Sequence, residues 1–378
     1  MNKVAKALSV SGKCFGFIKK NAVMCIALIA AIITSIIIPP SKEYAGYFDF
    51  RTLTCLFCVL AVVCALKDIN FFYMLARKVV QLFKTARMSI LALVYITFIG
   101  SMLIANDMAL LTFLPLGYFV LTTTGKQKYM AFTFIMQNIA ANLGGMLTPF
   151  GNPQNLYLYS YFSIPTGEFV SIMLLPFLLS VSLITLCCIL FTPATKLELG
   201  AAPPKLDKRR TVLYLLLFAY SIAIVFRGIP YWTGLIVIPV SLFFLDRECL
   251  KRVDYPLLGT FAAFFIFSGN MGRIEAVREF FAMLLAKNTL IFSALSCQFI
   301  SNVPSAILLS HFTEDYAPLL VGVNIGGCGT LIASLASLIT FRSFLCNAPH
   351  QGKKYFLMFT AFNFAFLFIL AAVMSFVY

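Results

Sequence analysis

Two stretches of the chain place glycines and small polar side chains inside apolar sequence. The first reads Asn-Leu-Gly-Gly-Met-Leu-Thr-Pro-Phe-Gly-Asn-Pro-Gln-Asn-Leu over residues 142–156, and the second reads Asn-Ile-Gly-Gly-Cys-Gly-Thr-Leu-Ile-Ala-Ser-Leu-Ala-Ser-Leu over residues 324–338. The second begins 182 residues after the first, and at that offset the Asn, the Gly pair, the Thr, a small residue, two Asn/Ser positions and the final Leu coincide. The sequence therefore contains an internal repeat.

Gly, Pro and Asn interrupt helices, and an interrupted helix can bind ions. The unwound carbonyls replace the water shell of a cation, while a new helix N-terminus attracts an anion. Small residues inside spans can instead serve only close helix packing, but two matched copies favour a binding site. The candidate ligands are Asn142, Thr148, Gly151, Asn152 and Asn155 in the first copy and Asn324, Thr330, Ser334 and Ser337 in the second.

Two polar pairs lie where short apolar segments meet. Asn106-Asp107 divides residues 88–122, and Ser301-Asn302 divides residues 289–312. A polar break at membrane depth is tolerated only where protein buries it or where it lines a cavity, so each segment predicts a re-entrant helical hairpin. Asn106, Asp107, Ser301 and Asn302 are candidate ligands for substrate or Na⁺.

Asp107 is the one acid of 14 that the predicted loops do not accommodate. An ionisable group inside the membrane costs at least a few kcal/mol and is by default functional. We expect Asp107 to bind a coupling ion or accept a proton. The alternative is that it caps the start of the second half of the hairpin.

The composition is that of a membrane protein. Of the 378 residues, 61% are hydrophobic and 11% are charged, and the mean hydropathy is +0.93. These values exclude a soluble enzyme, a nucleic-acid-binding domain and a disordered chain. No nucleotide-binding or nucleophile motif is found, so we expect neither an enzyme nor a cofactor beyond a coupling ion. Cysteines such as Cys25, Cys64, Cys187 and Cys188 lie in apolar runs and are interpreted as small buried hydrophobes rather than disulfide or metal sites.

Apolar runs of about 20 residues predict membrane spans. Nine are found, at residues 21–39, 52–67, 129–161, 168–192, 211–227, 231–246, 255–271, 317–341 and 354–377. With the N-terminus cytoplasmic and the C-terminus outside, 23 of the 29 Lys and Arg residues lie on the cytoplasmic side, as the positive-inside rule requires. Counting each hairpin as two full spans preserves the same sidedness. We therefore expect a multi-pass protein of the plasma or inner membrane, in contact with lipid and not with nucleic acid.

The repeat and this topology together predict an all-α fold with two inverted halves. After a basic N-terminus (1–20), the first half covers 21–192, a basic linker and linking span cover 193–230, and the second half covers 231–378. Hairpin 88–122 enters from inside and hairpin 289–312 from outside. Inverted repeats with matched helix breaks are typical of secondary transporters. Residues 69–87 and 273–287 mix charge with an apolar face and predict interfacial arm helices.

These motifs resemble those of the ion transporter superfamily, in its citrate-transporter-like group, which includes divalent anion:sodium symporters and arsenical pump membrane proteins. The resemblance covers most of residues 20–377 and implies an elevator-type carrier, often a homodimer. Dicarboxylate symporters have Ser-Asn-Thr at each hairpin tip, and only Asn106, Ser301 and Asn302 match it. The Ala-Asn-Asp tip and residues 333–338 are more similar to arsenite and sodium/proton carriers, whereas residues 151–155 resemble the Gly-Asn-Pro-x-Asn of citrate-transporter-like permeases.

The leading hypothesis is a secondary active transporter of a small anion, either a di- or tricarboxylate or an inorganic oxyanion, driven by Na⁺ or H⁺. The alternatives are a Na⁺/H⁺ antiporter or an arsenite-type efflux permease that uses Asp107. A receptor without flux would need longer soluble loops, and a channel fits two inverted half-sites less well than a carrier does.

Overall fold

The computed structural model describes residues 21–83, 85–195 and 207–378. The basic N-terminus, Lys84 and residues 196–206 of the predicted linker lie outside the described residues. The described chain is all-helical, with 81% helix and without a β-strand among the residues described. This agrees with a polytopic membrane protein.

The described residues form nineteen α-helices. In the first half they are α1 (Ala22–Ile37), α2 (Tyr44–Tyr47), α3 (Phe50–Asp68), α4 (Phe71–Gln81), α5 (Ala86–Ile104), α6 (Asn106–Thr123), α7 (Met130–Gly144), α8 (Pro153–Tyr161) and α9 (Thr166–Phe191). They continue as α10 (Lys208–Val225), α11 (Tyr231–Leu245), α12 (Arg247–Lys251), α13 (Tyr255–Arg273), α14 (Glu275–Lys287), α15 (Thr289–Ile300), α16 (Asn302–Leu309), α17 (Tyr316–Ile325), α18 (Leu335–Asn347) and α19 (Gly352–Met374). Short 3₁₀ turns cover Gln127–Tyr129, Gly145–Leu147 and Pro349–Gln351.

Four described helices, α3, α5, α9 and the segment Pro349–Met374, are individually long and apolar enough to cross a membrane. Helices α13 and α14 also qualify as a pair, but they are bent by 95° at the residue between them. The other predicted spans fall on shorter or more polar helices or on interrupted ones, so the total of nine stays a prediction. The span predicted at 317–341 is interrupted, since α17 ends at Ile325 and α18 runs beyond residue 341 to Asn347.

Both predicted hairpins are pairs of helices broken at the expected residues. Helices α5 and α6 pack against each other, as do α15 and α16. The expectation of two short halves is wrong for the first hairpin, because α5 has 19 residues. At 1.5 Å per residue that is about 28 Å, close to the hydrocarbon thickness. The second hairpin is shorter, with 12 residues in α15 and 8 in α16.

The repeated segments form the centre of the molecule. Nearly all of α7 and all of α17 from Pro318 onward are buried. Helix α8 follows the first break and packs on α16 of the second hairpin, whereas α18 follows the second break and packs on α6 of the first hairpin. The helix after each break thus packs on the hairpin of the other half, and the two breaks lie close together. By contrast α9 and α19 expose apolar side chains such as Leu178, Leu190 and Phe368, which suits contact with lipid.

Candidate functional site

The two hairpin tips have the same unusual backbone conformation. Ala105 has φ 58° and ψ 146°, and Ser301 has φ 74° and ψ 156°. Positive φ is costly for residues with a Cβ atom and persists only where the surroundings enforce it. After each tip an Asn side chain accepts the next backbone N–H, Asn106 from Asp107 at 2.9 Å and Asn302 from Val303 at 3.0 Å. The tips are therefore built alike.

The two breaks are also held in matching ways. Thr148 donates to the Met102 carbonyl at 2.8 Å, and Thr330 donates to the Gln298 carbonyl at 3.0 Å. Each acceptor lies three residues before its hairpin tip. Each of the two predicted threonines thus forms a hydrogen bond between its break and the first helix of the neighbouring hairpin. Neither hydroxyl takes part in the amide cluster described next.

A cluster of buried amides joins the two halves. It comprises Asn142, Asn152, Gln154, Asn155 and Asn324, which are all at most 1% exposed. Asn324 donates to Asn155 Oδ1 at 2.6 Å and accepts from Asn152 at 3.2 Å and from Gln154 at 3.3 Å. Asn152 also donates to the Asn142 carbonyl at 3.0 Å. Four of the nine predicted break residues therefore meet in this amide cluster.

Both tips reach the same place. Asn106 donates to Asn142 Oδ1 at 3.2 Å, and Asn142 donates to the Gly327 carbonyl at 3.4 Å. Asn302 lies against the same glycine, since a Cβ built on Gly327 would be 3.1 Å from Asn302 Nδ2. Ser301 lies beside the second break, where its hydroxyl donates to the Ala333 carbonyl at 3.3 Å. The four polar tip and break segments thus converge.

Carbonyls freed by unwinding are satisfied by side-chain amides. Asn155 donates to the carbonyls of Gly145 and Met146 at 3.3 and 3.2 Å. Gln298 does the same in the second half, with the carbonyls of Gly326 and Cys328 at 2.9 and 3.0 Å. The sequence pattern did not identify Gln298 or Gln154. Met102 is the counterpart of Gln298 in the other hairpin, and Ala336 is the counterpart of Gln154 in the other break, so neither glutamine is repeated as a polar residue.

The remaining predicted residues have local roles. Gly151 packs so tightly that a Cβ there would lie 2.6 Å from Thr148 Oγ1. Ser334 begins α18 by accepting the Ser337 N–H at 3.2 Å. Ser337 in turn accepts from Asn138 at 3.3 Å. Asn138, which was not predicted, connects this turn to Asn363 of α19.

Three buried acceptor oxygens in or beside the tips and breaks have no hydrogen-bond donor among the described residues: Asp107 Oδ1, Asn152 Oδ1 and Gln154 Oε1. A buried polar atom without a partner is costly and calls for an explanation such as a bound ion. Oxygen ligands suit a hard cation. The capping alternative for Asp107 is not supported, because Asn106 performs that role and Asp107 Oδ1 accepts nothing.

The helix ends supply the opposite charge. Helices α6, α8, α16 and α18 all begin at the tips or breaks, and each helix N-terminus carries a partial positive charge that attracts an anion. The tips and breaks therefore offer oxygen ligands that suit a cation and helix N-termini that suit an anion.

The sequence is similar to that of a known protein family and to those of individual proteins. Residues 7–324 match the sequence model of the family described as Citrate transporter, CitMHS. The chain is 33% identical over 296 residues to an uncharacterized transporter of Methanocaldococcus jannaschii, covering 78% of this chain and 81% of that protein. It is 29% identical over 310 residues to the inner membrane protein YbiR of Escherichia coli, covering 80% of this chain and 82% of that protein.

Proposed function

The chain belongs to the citrate transporter family, and from this premise we propose that it is a secondary active transporter of a small anion, a di- or tricarboxylate or an inorganic oxyanion, coupled to Na⁺ or H⁺. The observation that carries the proposal is the convergence of both hairpin tips and both helix breaks on one buried amide cluster. In secondary carriers the binding site typically lies near the membrane midplane, at the interface of two halves.

The matched contacts of the halves support an inverted-repeat carrier. The tips share one backbone conformation, the threonines bind equivalent carbonyls, and α8 and α18 cross into the opposite half. Two half-sites of opposite orientation suit alternating access, because each can be exposed to one side in turn. The elevator movement and the homodimer implied by the resemblance belong to the same proposal.

The cation would bind near Asp107. Its buried Oδ1 lacks a donor, as does Asn152 Oδ1 of the amide cluster, and oxygen acceptors without donors favour Na⁺ or a proton. An ionised Asp107 repels an anion, so a cation bound there first would create the anion site and couple the two fluxes. The anion would then be held by helix N-termini such as those of α8 and α18.

Asp107 Oδ1, which lacks a donor, also favours a second candidate, a Na⁺/H⁺ antiporter or an arsenite-type efflux permease. In such a carrier Asp107 exchanges H⁺ for a cation, or assists export of a neutral oxyacid, and an anion need not bind. Both hairpin-tip threonines of the dicarboxylate symporters are replaced, by Asp107 and Val303, which removes the hydroxyls that would touch a carboxylate.

Transport by the purified protein in liposomes tests the proposal. Citrate, succinate, sulfate and arsenite are offered under imposed Na⁺ or pH gradients, and we expect one gradient to drive uptake or efflux of at least one of them. Asp107→Asn keeps the side-chain shape and removes the charge, so we expect at least a tenfold loss of coupled flux. The matched control is Glu314→Gln, an exposed acid assigned to an outer loop, which should retain flux.

The outcomes separate the candidates. Na⁺-dependent proton movement without any anion would establish the antiporter instead. If neither gradient moves any of the four solutes or protons, and wild-type protein is folded, the transporter proposal is wrong. If flux occurs and Asp107→Asn leaves it unchanged, the role given to Asp107 is wrong.

A further inference from the structure

A second group of chemically reactive side chains shares no residue with the amide cluster. Cys64 and Asp68 are one helical turn apart on α3, and Cys249 lies on the short helix α12. The two sulfurs and a carboxylate oxygen all lie within 4.8 Å of one another. Cys249 is fully buried and Cys64 is 5% exposed.

We propose that Cys64, Asp68 and Cys249 bind one divalent transition-metal ion of the zinc class. Zinc is bound by thiolate sulfur and carboxylate oxygen in tetrahedral sites, and three protein ligands leave the fourth position to water. Thiolate ligands also disfavour the hard cations Mg²⁺ and Ca²⁺. This site is separate from the proposed transport site and does not depend on it.

The Asp68 carboxylate has one oxygen paired with an arginine and one oxygen available to a metal. Arg252 binds Asp68 Oδ1 at 2.9 Å, while Asp68 Oδ2 is buried and accepts no hydrogen bond among the described residues. Metal-binding carboxylates are commonly oriented by such an outer partner. One oxygen is therefore fixed by the arginine, and the other is free to bind a metal.

The charges balance when the metal is bound. Binding converts two thiols to thiolates and releases two protons, because thiolates rather than thiols bind metal. Two thiolates and one carboxylate then face a divalent ion and the Arg252 guanidinium, and the local charge cancels. The hydrogen bonds lost by the thiols are weak, from Cys249 to the Ala61 carbonyl at 3.3 Å and from Cys64 to the Cys249 carbonyl at 3.8 Å.

The proposed metal site lies close to the protein surface, because the Asp68 side chain at the end of α3 is 20% exposed. In the topology predicted from charge, Asp68 and Arg252 both lie on the cytoplasmic side. A bound metal would tie the end of α3 in the first half to α12 in the second. We expect it to stabilise the protein without taking part in transport.

Metal content of the whole protein tests this inference. The protein is purified without a histidine tag, equilibrated with buffered Zn²⁺ and measured by atomic emission. We expect about one zinc per chain in wild type and less than one-tenth of that in Cys64→Ser, Cys249→Ser and Asp68→Asn. The control Cys58→Ser removes another buried cysteine of α3 and should keep full occupancy.

Two further readouts apply to wild type and do not depend on how the variants fold. Co²⁺ substitution should produce thiolate-to-cobalt charge-transfer absorption in wild type, and added Zn²⁺ should raise the unfolding temperature above that measured in EDTA. Wild type without bound zinc and without the cobalt absorption would overturn the inference. A wild-type mass lower by two hydrogens, with Cys64 and Cys249 unreactive until reduction, would replace it with a disulfide.

Discussion

At the scale of residues, the site depends on amides that satisfy one another across the two halves. Asn324 exchanges hydrogen bonds with Asn152, Gln154 and Asn155, although about 170 residues separate them. A buried group that loses its hydrogen-bond partner finds no substitute for it. Removing one amide therefore leaves the groups bonded to it unsatisfied. Asn324 is therefore the residue on which the contact between the breaks most depends.

Asn324→Ala should lower the free energy of unfolding by about 2–3 kcal/mol. It leaves the buried Asn155 acceptor and the Gln154 amide donor without partners and removes one of the two acceptors of the Asn152 amide. The measurement is a denaturant titration of the detergent-solubilised protein. Asn347→Ala is the control, since Asn347 is exposed at the end of α18 and bonds only to the Ser343 carbonyl. Equal stability of the two variants would contradict the importance assigned to the amide cluster.

At the scale of elements, glycine sets how closely each broken helix approaches its hairpin. A Cβ on Gly144 would lie 2.6 Å from Ser101 Oγ, and one on Gly326 would lie 2.8 Å from Cys297 Sγ. Both neighbours lie four residues before a hairpin tip, so the same close contact occurs twice. The first glycine of each pair is thus explained by packing, while the Asn and Thr positions carry polar contacts.

Gly144→Ala and Gly326→Ala should each destabilise the protein by about 1–3 kcal/mol, as expected for overpacking a tight contact. Thermal unfolding followed by circular dichroism measures the effect. In Gly167→Ala the new methyl group meets no atom within 4 Å, and it lies in the first turn of α9, so this control should be neutral or slightly stabilising. Unchanged melting of both test variants would refute the close approach.

At the scale of the whole molecule, polar contacts agree with the sidedness inferred from charge. Arg252 pairs with Asp68, and the predicted topology has both on the inner side; Arg273 pairs with Glu43, and the predicted topology has both on the outer side. Tyr378 at the C-terminus lines a pocket with Lys287 and Asp315, which were assigned to the outer side. No ion pair between described residues joins opposite sides. The topology is therefore internally consistent, and its absolute orientation is a prediction.

Labelling from each side of intact cells or spheroplasts tests that orientation. In a chain whose other cysteines are replaced, the exposed Cys346 of α18 should react with a membrane-impermeant maleimide only from the cytoplasmic side. Glu314→Cys in the same background should react only from outside. The reverse pattern would invert the topology, and labelling of both positions from one side would contradict the predicted number of crossings between them.

The sequence by itself determined the features that depend on local pattern. Apolar runs predicted a membrane protein, Gly, Pro and Asn located both breaks, and Asn106-Asp107 and Ser301-Asn302 located both tips. These follow from helix propensity and from the cost of polar groups in lipid. The length of α5 and the extent of α18 were less accessible, because helix ends depend on packing as well as on composition.

Only the tertiary structure decided which distant groups meet. The bond from Asn142 to Gly327 and the proximity of Cys64 to Cys249 both span 185 residues. No spacing rule identifies such pairs, because they arise when α8 and α18 cross between the halves and when α12 packs on α3. Gln298 contacts the second break within its own half, 28 residues from Gly326 and 30 from Cys328, and the sequence pattern does not identify these pairs either. The residue types determined which chemistry is possible, whereas long-range packing determined which residues contact each other.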